Sequence, residues 1–175
     1  MELVRAAWEN DQEFMGIIEG LLQNETLLEL NNITHHHYTT RLLHSIFVAY
    51  VSYKLAKSLN LDYISTARAG LLHDFFLEER EEVEKMGMGS HNSAHPKIAL
   101  KNAKEITSLN KLEEDIILKH MFLCTWRGGV PRYRESFIVT LVDKYCAVFE
   151  VSKPTRNWFK DFYATLQAKV SYNQI

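Results

Sequence analysis

Glycine and proline are scarce in this chain, seven and three among 175 residues. Sharp turns are therefore few, and the long stretches between them favour helices over a sheet of short strands. Cysteine is scarcer still. Cys124 and Cys146 are too few for a disulfide framework, so a reducing cytosol is the expected compartment. Cys146 sits in an apolar run and reads as a small core filler. No apolar stretch approaches the ~20 residues of a membrane span. The N-terminal Met-Glu-Leu-Val-Arg-Ala-Ala-Trp-Glu-Asn carries charges where a signal peptide needs a long apolar core. Excess charge of one sign is missing too, since the net charge is −2, and no global field draws in nucleic acid or an anionic membrane. The expectation is a cytoplasmic protein with neither nucleic acid nor membrane as partner.

What is present is globular in character, with 46% apolar and 24% charged residues. The length suits one domain spanning 1–175 and a sizeable core, since a chain of ~150 residues buries roughly 70% of its unfolded surface. Strand alternation is nowhere sustained, so the expected fold is all-α, a single-domain helical bundle. A helix or helix pair is expected over 4–30, with Phe14, Ile17, Ile18, Leu21 and Leu22 at helical spacing. Residues 31–40, with their His35-His36-His37 run, read as a connection. A long helix follows from about Thr40 to Leu59, with His44, Val48, Val51 and Leu55 on one face. Asp62 is placed to cap a helix over 63–74. Residues 75–94 read as a loop that includes His91. Pro96 marks the first turn of a helix carrying Ala99, Ala103 and Ile106. A short helix over 111–121 puts Leu112, Ile116 and His120 on one face. After the basic loop Arg127–Arg134, an apolar helix covers 135–150 and an amphipathic one covers 155–170.

Two carboxylates stand in costly places. His73-Asp74 ends an apolar helix and is followed by Phe75-Phe76, while Asp143 lies inside Phe-Ile-Val-Thr-Leu-Val-Asp-Lys-Tyr-Cys-Ala-Val-Phe on a stripe with Val139 and Cys146. An ionised carboxylate in such surroundings needs a paired cation or a metal. His44 and His120 point inward with their apolar neighbours, and His95 stands at the start of its helix. Each residue alone has a structural explanation: a hydrogen-bonded core histidine, a helix cap, an Asp–Arg pair, a C-terminal histidine favoured by the helix dipole. Lys144 can reach back to Asp143. Five inward polar groups together are harder to explain separately. A bundle can bring such helices around one core site, and imidazole with carboxylate suits Zn, Fe, Mn, Co or Ni.

The order His44, His73-Asp74, Asp143 resembles the HD-domain superfamily of metal-dependent phosphohydrolases. His44-Ser45 with Val48-Ala49 resembles its first motif, Ala69-Gly70-Leu71-Leu72-His73-Asp74 its second, and Val142-Asp143-Lys144 its last. The resemblance covers about 37–150, leaving N- and C-terminal helical extensions. A narrower similarity is to the HD hydrolases that split diadenosine tetraphosphate symmetrically, through Arg41-x-x-His44, the Ala-Gly-Leu-Leu-His-Asp segment, a histidine before a helix (His95) and one at a helix end (His120). The Gly-Tyr-Pro signature of the HD-GYP phosphodiesterases is lacking, which argues against cyclic dinucleotide cleavage, and the segments after His120 and Asp143-Lys144 depart from the tetraphosphatase pattern.

The resemblance implies one or two divalent transition-metal ions. His44, His73 and Asp143 would hold one, His95 and His120 the other, and Asp74 would bridge them and be the catalytic carboxylate. It also implies attack by a metal-bound hydroxide on a phosphorylated small molecule, a nucleotide or dinucleoside polyphosphate. Arg41, Arg132 and Lys144 are the candidate phosphate contacts, with Arg127 and Arg134 in the same loop as Arg132. The alternative is a non-catalytic HD module that senses a nucleotide through a bound metal. A homodimer is left open.

Overall fold

The computed structural model describes residues 8–35 and 39–151. The helix expected over 155–170 and the loop histidines His36 and His37 lie outside the described residues. Helices dominate: α1 (Gln12–Ile18), α2 (Glu25–Leu28), α3 (Arg41–Ser58), α4 (Tyr63–Leu72), α5 (Arg80–Lys85), α6 (His91–Ile106), α7 (Lys111–Lys119) and α8 (Arg134–Val151). The strand pairing among the described residues is short, β1 (Thr34–His35) against β2 (Thr39–Thr40), antiparallel. None of these helices is long and apolar enough to cross a membrane.

The helix boundaries follow from local chemistry. Thr40 caps α3 by accepting the Leu43 N–H at 3.2 Å, and the helix ends at Asn60, whose positive φ of 53° asparagine tolerates. Asp62 caps α4 as expected, accepting from the Ser65 N–H at 3.0 Å and its hydroxyl at 2.7 Å. Asn110 and Glu113 form a reciprocal capping box on α7. α3 packs mainly on α4 and α8. The first of these contacts depends on Gly70, where a Cβ would lie 2.8 Å from the Ala49 Cα. Arg68 ties α4 to the α6–α7 connection through Glu113 (2.6 Å), Thr107 and the Ser108 carbonyl.

Three expectations are corrected. The segment 75–94 is not all loop. α5 forms within it, and the Glu82 carboxylate accepts the Glu79 N–H at 2.9 Å. Its charge-rich sequence hides the helix because a single side chain, Val83, is buried there, against Phe76, Ala94 and Ile98. α6 begins at His91 rather than Pro96, because Ser90 is extended and accepts from the Ser93 and Ala94 N–H groups. Pro96 therefore sits in the second turn and forfeits one intrahelical bond. Leu55 is not on the buried side of α3 but exposed. In that half of the helix the packed side chains are Ser52, Tyr53 and Ala56, with the α1 residue Phe14 5.0 Å from the Tyr50 ring and 5.3 Å from the Tyr53 ring.

Candidate metal centre

Five segments converge on one buried point. The first turn of α3 brings His44, the end of α4 brings His73 and Asp74, the second turn of α6 brings His95, the end of α7 brings His120, and the middle of α8 brings Asp143. None of the six is more than 6% exposed. All six residues that the sequence singled out as ligands are thus brought together.

Their orientations are set by the backbone. The Nδ1 atoms of His73, His95 and His120 lie 2.7, 2.9 and 2.8 Å from the carbonyls of Gly70, His91 and Ile117. A carbonyl only accepts, so each Nδ1 carries a proton, and the neutral ring then keeps its lone pair on Nε2. That tautomer is the one a metal-ligating histidine needs, with its second nitrogen anchored.

The Nε2 atoms meet the carboxylates. His44 Nε2 is 3.1 Å from Asp143 Oδ1, and His73 Nε2 is 3.8 Å from the same oxygen and 3.7 Å from Asp74 Oδ2. The other Asp74 oxygen, Oδ1, lies 3.3 Å from His95 Nε2 and 3.4 Å from His120 Nε2. Two groups of metal-ligand type result, His44–His73–Asp143 and His73–Asp74–His120, with the ligand atoms of each within 4.8 Å of one another. Ligands about 2.1 Å from one ion stand about 3.0–3.4 Å apart at octahedral or tetrahedral angles, which the shorter separations match. Moreover, His73 Nε2 and Asp74 Oδ1 are buried without a hydrogen-bond partner of acceptable geometry among the described residues. The donor set, its spacing and its orphaned atoms all fit a divalent cation.

Electrostatics agree. Burial pushes the Asp74 carboxyl up, but His73, His120 and His95 more than reverse this and hold it well below the ordinary carboxylate range. Asp143 behaves likewise, burial opposing His44, His73 and Lys144. Burial lowers His120 to about 4 against the pull of Asp74, so it is neutral and able to ligate near pH 7.

The outer candidates separate. Lys144 Nζ holds Asp143 Oδ2 at 2.6 Å and lies 2.9 Å from the Met121 sulfur. Arg41 is buried beside Phe76 and within the field of Asp74. Arg132 is not brought to the cluster. Its main-chain N–H donates to Asp115 at 2.9 Å, and it borders a surface cleft of about 230 Å³ with Lys111, Lys119 and Tyr133. The loop folds back along α7, a path its sequence does not announce. From the same loop, Arg127 Nη1 instead comes within 3.3 Å of where a Gly89 Cβ would stand, beside the turn that opens α6. His91, expected in a loop, is instead the first residue of α6, and its ring lies 4.8 Å from that of His95. The four-residue spacing to His95 was the available signal, masked by starting the helix at Pro96.

The HD-domain family model matches residues 41–148. The chain belongs to the HD-domain family. Members typically bind divalent metals and act as metal-dependent hydrolases. No curated protein and no solved structure gives a significant match.

Proposed function

We propose that this protein is a metal-dependent phosphohydrolase acting on a nucleotide or dinucleoside polyphosphate, the substrate class of the diadenosine-tetraphosphate hydrolases its motifs resemble. The observation that carries the reading is the position of Asp74, with Oδ2 toward His73 and Oδ1 toward His95 and His120. A carboxylate so placed suits sharing between two ions, with His44, His73 and Asp143 on one side and His95 and His120 on the other. When bound, such divalent ions acidify a water and offset phosphoryl charge.

The side chains contribute the rest. The three Nδ1–carbonyl bonds aim lone pairs inward without any rearrangement. Lys144 occupies Asp143 Oδ2 and so leaves Oδ1 to the site. Arg41 supplies a buried positive charge for a substrate phosphate, and Arg127, more than Arg132, stands by the His95 helix to hold a second. The test is metal analysis of the purified protein together with phosphate release from nucleotides, dinucleoside polyphosphates and phosphomonoesters. Metal with turnover on a polyphosphate supports the reading. Metal without turnover on the whole panel points instead to a nucleotide sensor.

A further inference from the structure

Phe76 gathers polar groups that the metal cluster does not use. The Arg41 guanidinium lies over its ring, 3.7 Å from the centroid, and Nη1 donates to the Phe76 carbonyl. Arg41 is only 5% exposed, yet among the described residues no carboxylate lies within ion-pair distance of it, and its Nε is buried with no partner. Glu78 and Glu79 act on it only through space, as Asp74 does. A buried cation without a contacting counter-ion is costly, so this arrangement calls for an anion that comes and goes.

A second unspent group stands against the same ring. The His91 ring packs on Phe76 with centroids 5.6 Å apart, and its Nδ1 is buried without a partner. His91 is also the first residue of the sixteen-residue helix α6, whose Ser90 cap makes no side-chain bond to a backbone N–H, its hydroxyl meeting that of Ser93 at 3.3 Å instead. The positive end of that helix is therefore left without a capping side chain. Asp74, Arg41 and Arg80 all act electrostatically on His91, so these groups share one neighbourhood. His95 is turned to Asp74, and His91 is one turn nearer the start of the same helix.

On the basis of the hydrolase reading above, we propose that Arg41 and His91, joined across Phe76, form an anion subsite for a substrate phosphate other than the one cleaved. Arg41 supplies the charge and His91 a directional hydrogen bond. The position one turn from His95 keeps this phosphate off the ligand atoms around Asp74. A substrate that fills both places carries at least two phosphates, whereas a phosphomonoester leaves the subsite empty.

The test uses the metal-loaded protein and inorganic phosphate as the probe, followed by calorimetry, with metal content measured on each sample. His91→Phe keeps the ring contacts and removes both nitrogens. It is expected to weaken phosphate binding about tenfold or more at unchanged metal content. His91→Gln, which restores a donor, is expected to recover most of the affinity. The proposal is overturned if His91→Phe binds phosphate like wild type, if wild type binds none, or if metal content falls in His91→Phe, since His91 would then be a metal ligand. His91-dependent phosphate binding in a protein that turns over nothing on the substrate panel would support the subsite while refuting the hydrolase.

Discussion

His95 and His120 face each other through Nε2 atoms 2.9 Å apart, while each Nδ1 is committed to a carbonyl of its own helix region. Two lone pairs at that distance repel unless a cation lies between them or one ring takes a proton. A divalent ion held by these rings together with Asp74 would remove the conflict, and its binding free energy would then add to folding stability. We predict that a chelator lowers the melting temperature of the metal-loaded protein by about 5–10 °C, and that adding back Mn, Fe or Zn restores it. Calorimetry on matched samples checks this. An unchanged melting temperature after verified metal removal would show that the cluster is satisfied without an ion.

The metal-free protein is expected to lose stability with acid in a defined window. His120 is held near 4 in the fold, chiefly by burial, below its ordinary 6.5. The unfolded chain therefore takes up this proton first as the pH falls. The contribution of neutral His120 is complete above about pH 6.5 and is lost progressively toward pH 4, on the order of 3 kcal/mol in all. Asp74 and Asp143, held low, act in a separate region: their contribution is present above the ordinary carboxylate value of 3.8 and disappears below it. Urea unfolding at pH 7, 6 and 5, with His120→Leu as control, separates the two. Equal stability at pH 7 and pH 5 in the wild type would contradict the burial argument.

Gly70 and Gly16 make opposite predictions for the same substitution. Glycine inside a helix normally costs about 0.5–1 kcal/mol relative to alanine. At Gly16, in α1, an added Cβ meets nothing within 4 Å, so Gly16→Ala is expected to stabilise by that amount. At Gly70 the Cβ would stand 2.8 Å from the Ala49 backbone, and α3 and α4 would have to separate. Gly70→Ala is expected to destabilise by about 1–3 kcal/mol. It also disturbs His73, whose Nδ1 bonds the Gly70 carbonyl at 2.7 Å, so metal content falls with it. Denaturant midpoints of the two variants decide the matter, and a neutral Gly70→Ala would mean that the helices yield cheaply.

The buried grouping of histidines and carboxylates was legible in the sequence because it violates the pattern around it. Asp74 and Asp143 are charges in apolar runs, and His44 and His120 lie on helical stripes of aliphatic residues, so burial followed from period alone. Period does not give the direction of a ring nitrogen. The carbonyl anchors of His73, His95 and His120 became visible only with the backbone in place. Other features were hidden for particular reasons. α5 has one core residue, Val83, and no amphipathic stripe to read. Pro96 is a strong marker of a first turn, and it obscured His91. Arg127 and Arg132 are five residues apart in one loop, and only the path of that loop along α7 separates their surroundings. The outer face of α8, with Phe137, Leu141 and Val148 exposed, was likewise not distinguishable from its buried face in so apolar a segment.

The sharpest functional prediction contrasts Asp74 with Arg41. Asp74→Ala removes the carboxylate that faces both histidine groups. Turnover is expected to fall by about three orders of magnitude or more, with loss of metal, because the variant deletes an anionic ligand rather than a packing contact. The metal-free fold is expected to survive, since Asp74 lies just past α4 and outside the apolar core. Arg41→Ala touches no ligand. Metal content is expected to stay at the wild-type level while KM for a polyphosphate substrate rises about tenfold or more, the loss of a charged hydrogen bond. Arg41→Lys recovers little, because the planar guanidinium over Phe76 is replaced by an ammonium that cannot stack in the same way. Activity, metal content and circular dichroism on the same three preparations keep folding failures apart from chemical ones. A folded Asp74→Ala protein with full activity would remove the shared carboxylate from the mechanism. An Arg41→Ala protein with unchanged KM but lost metal would move Arg41 from substrate binding to support of the metal site.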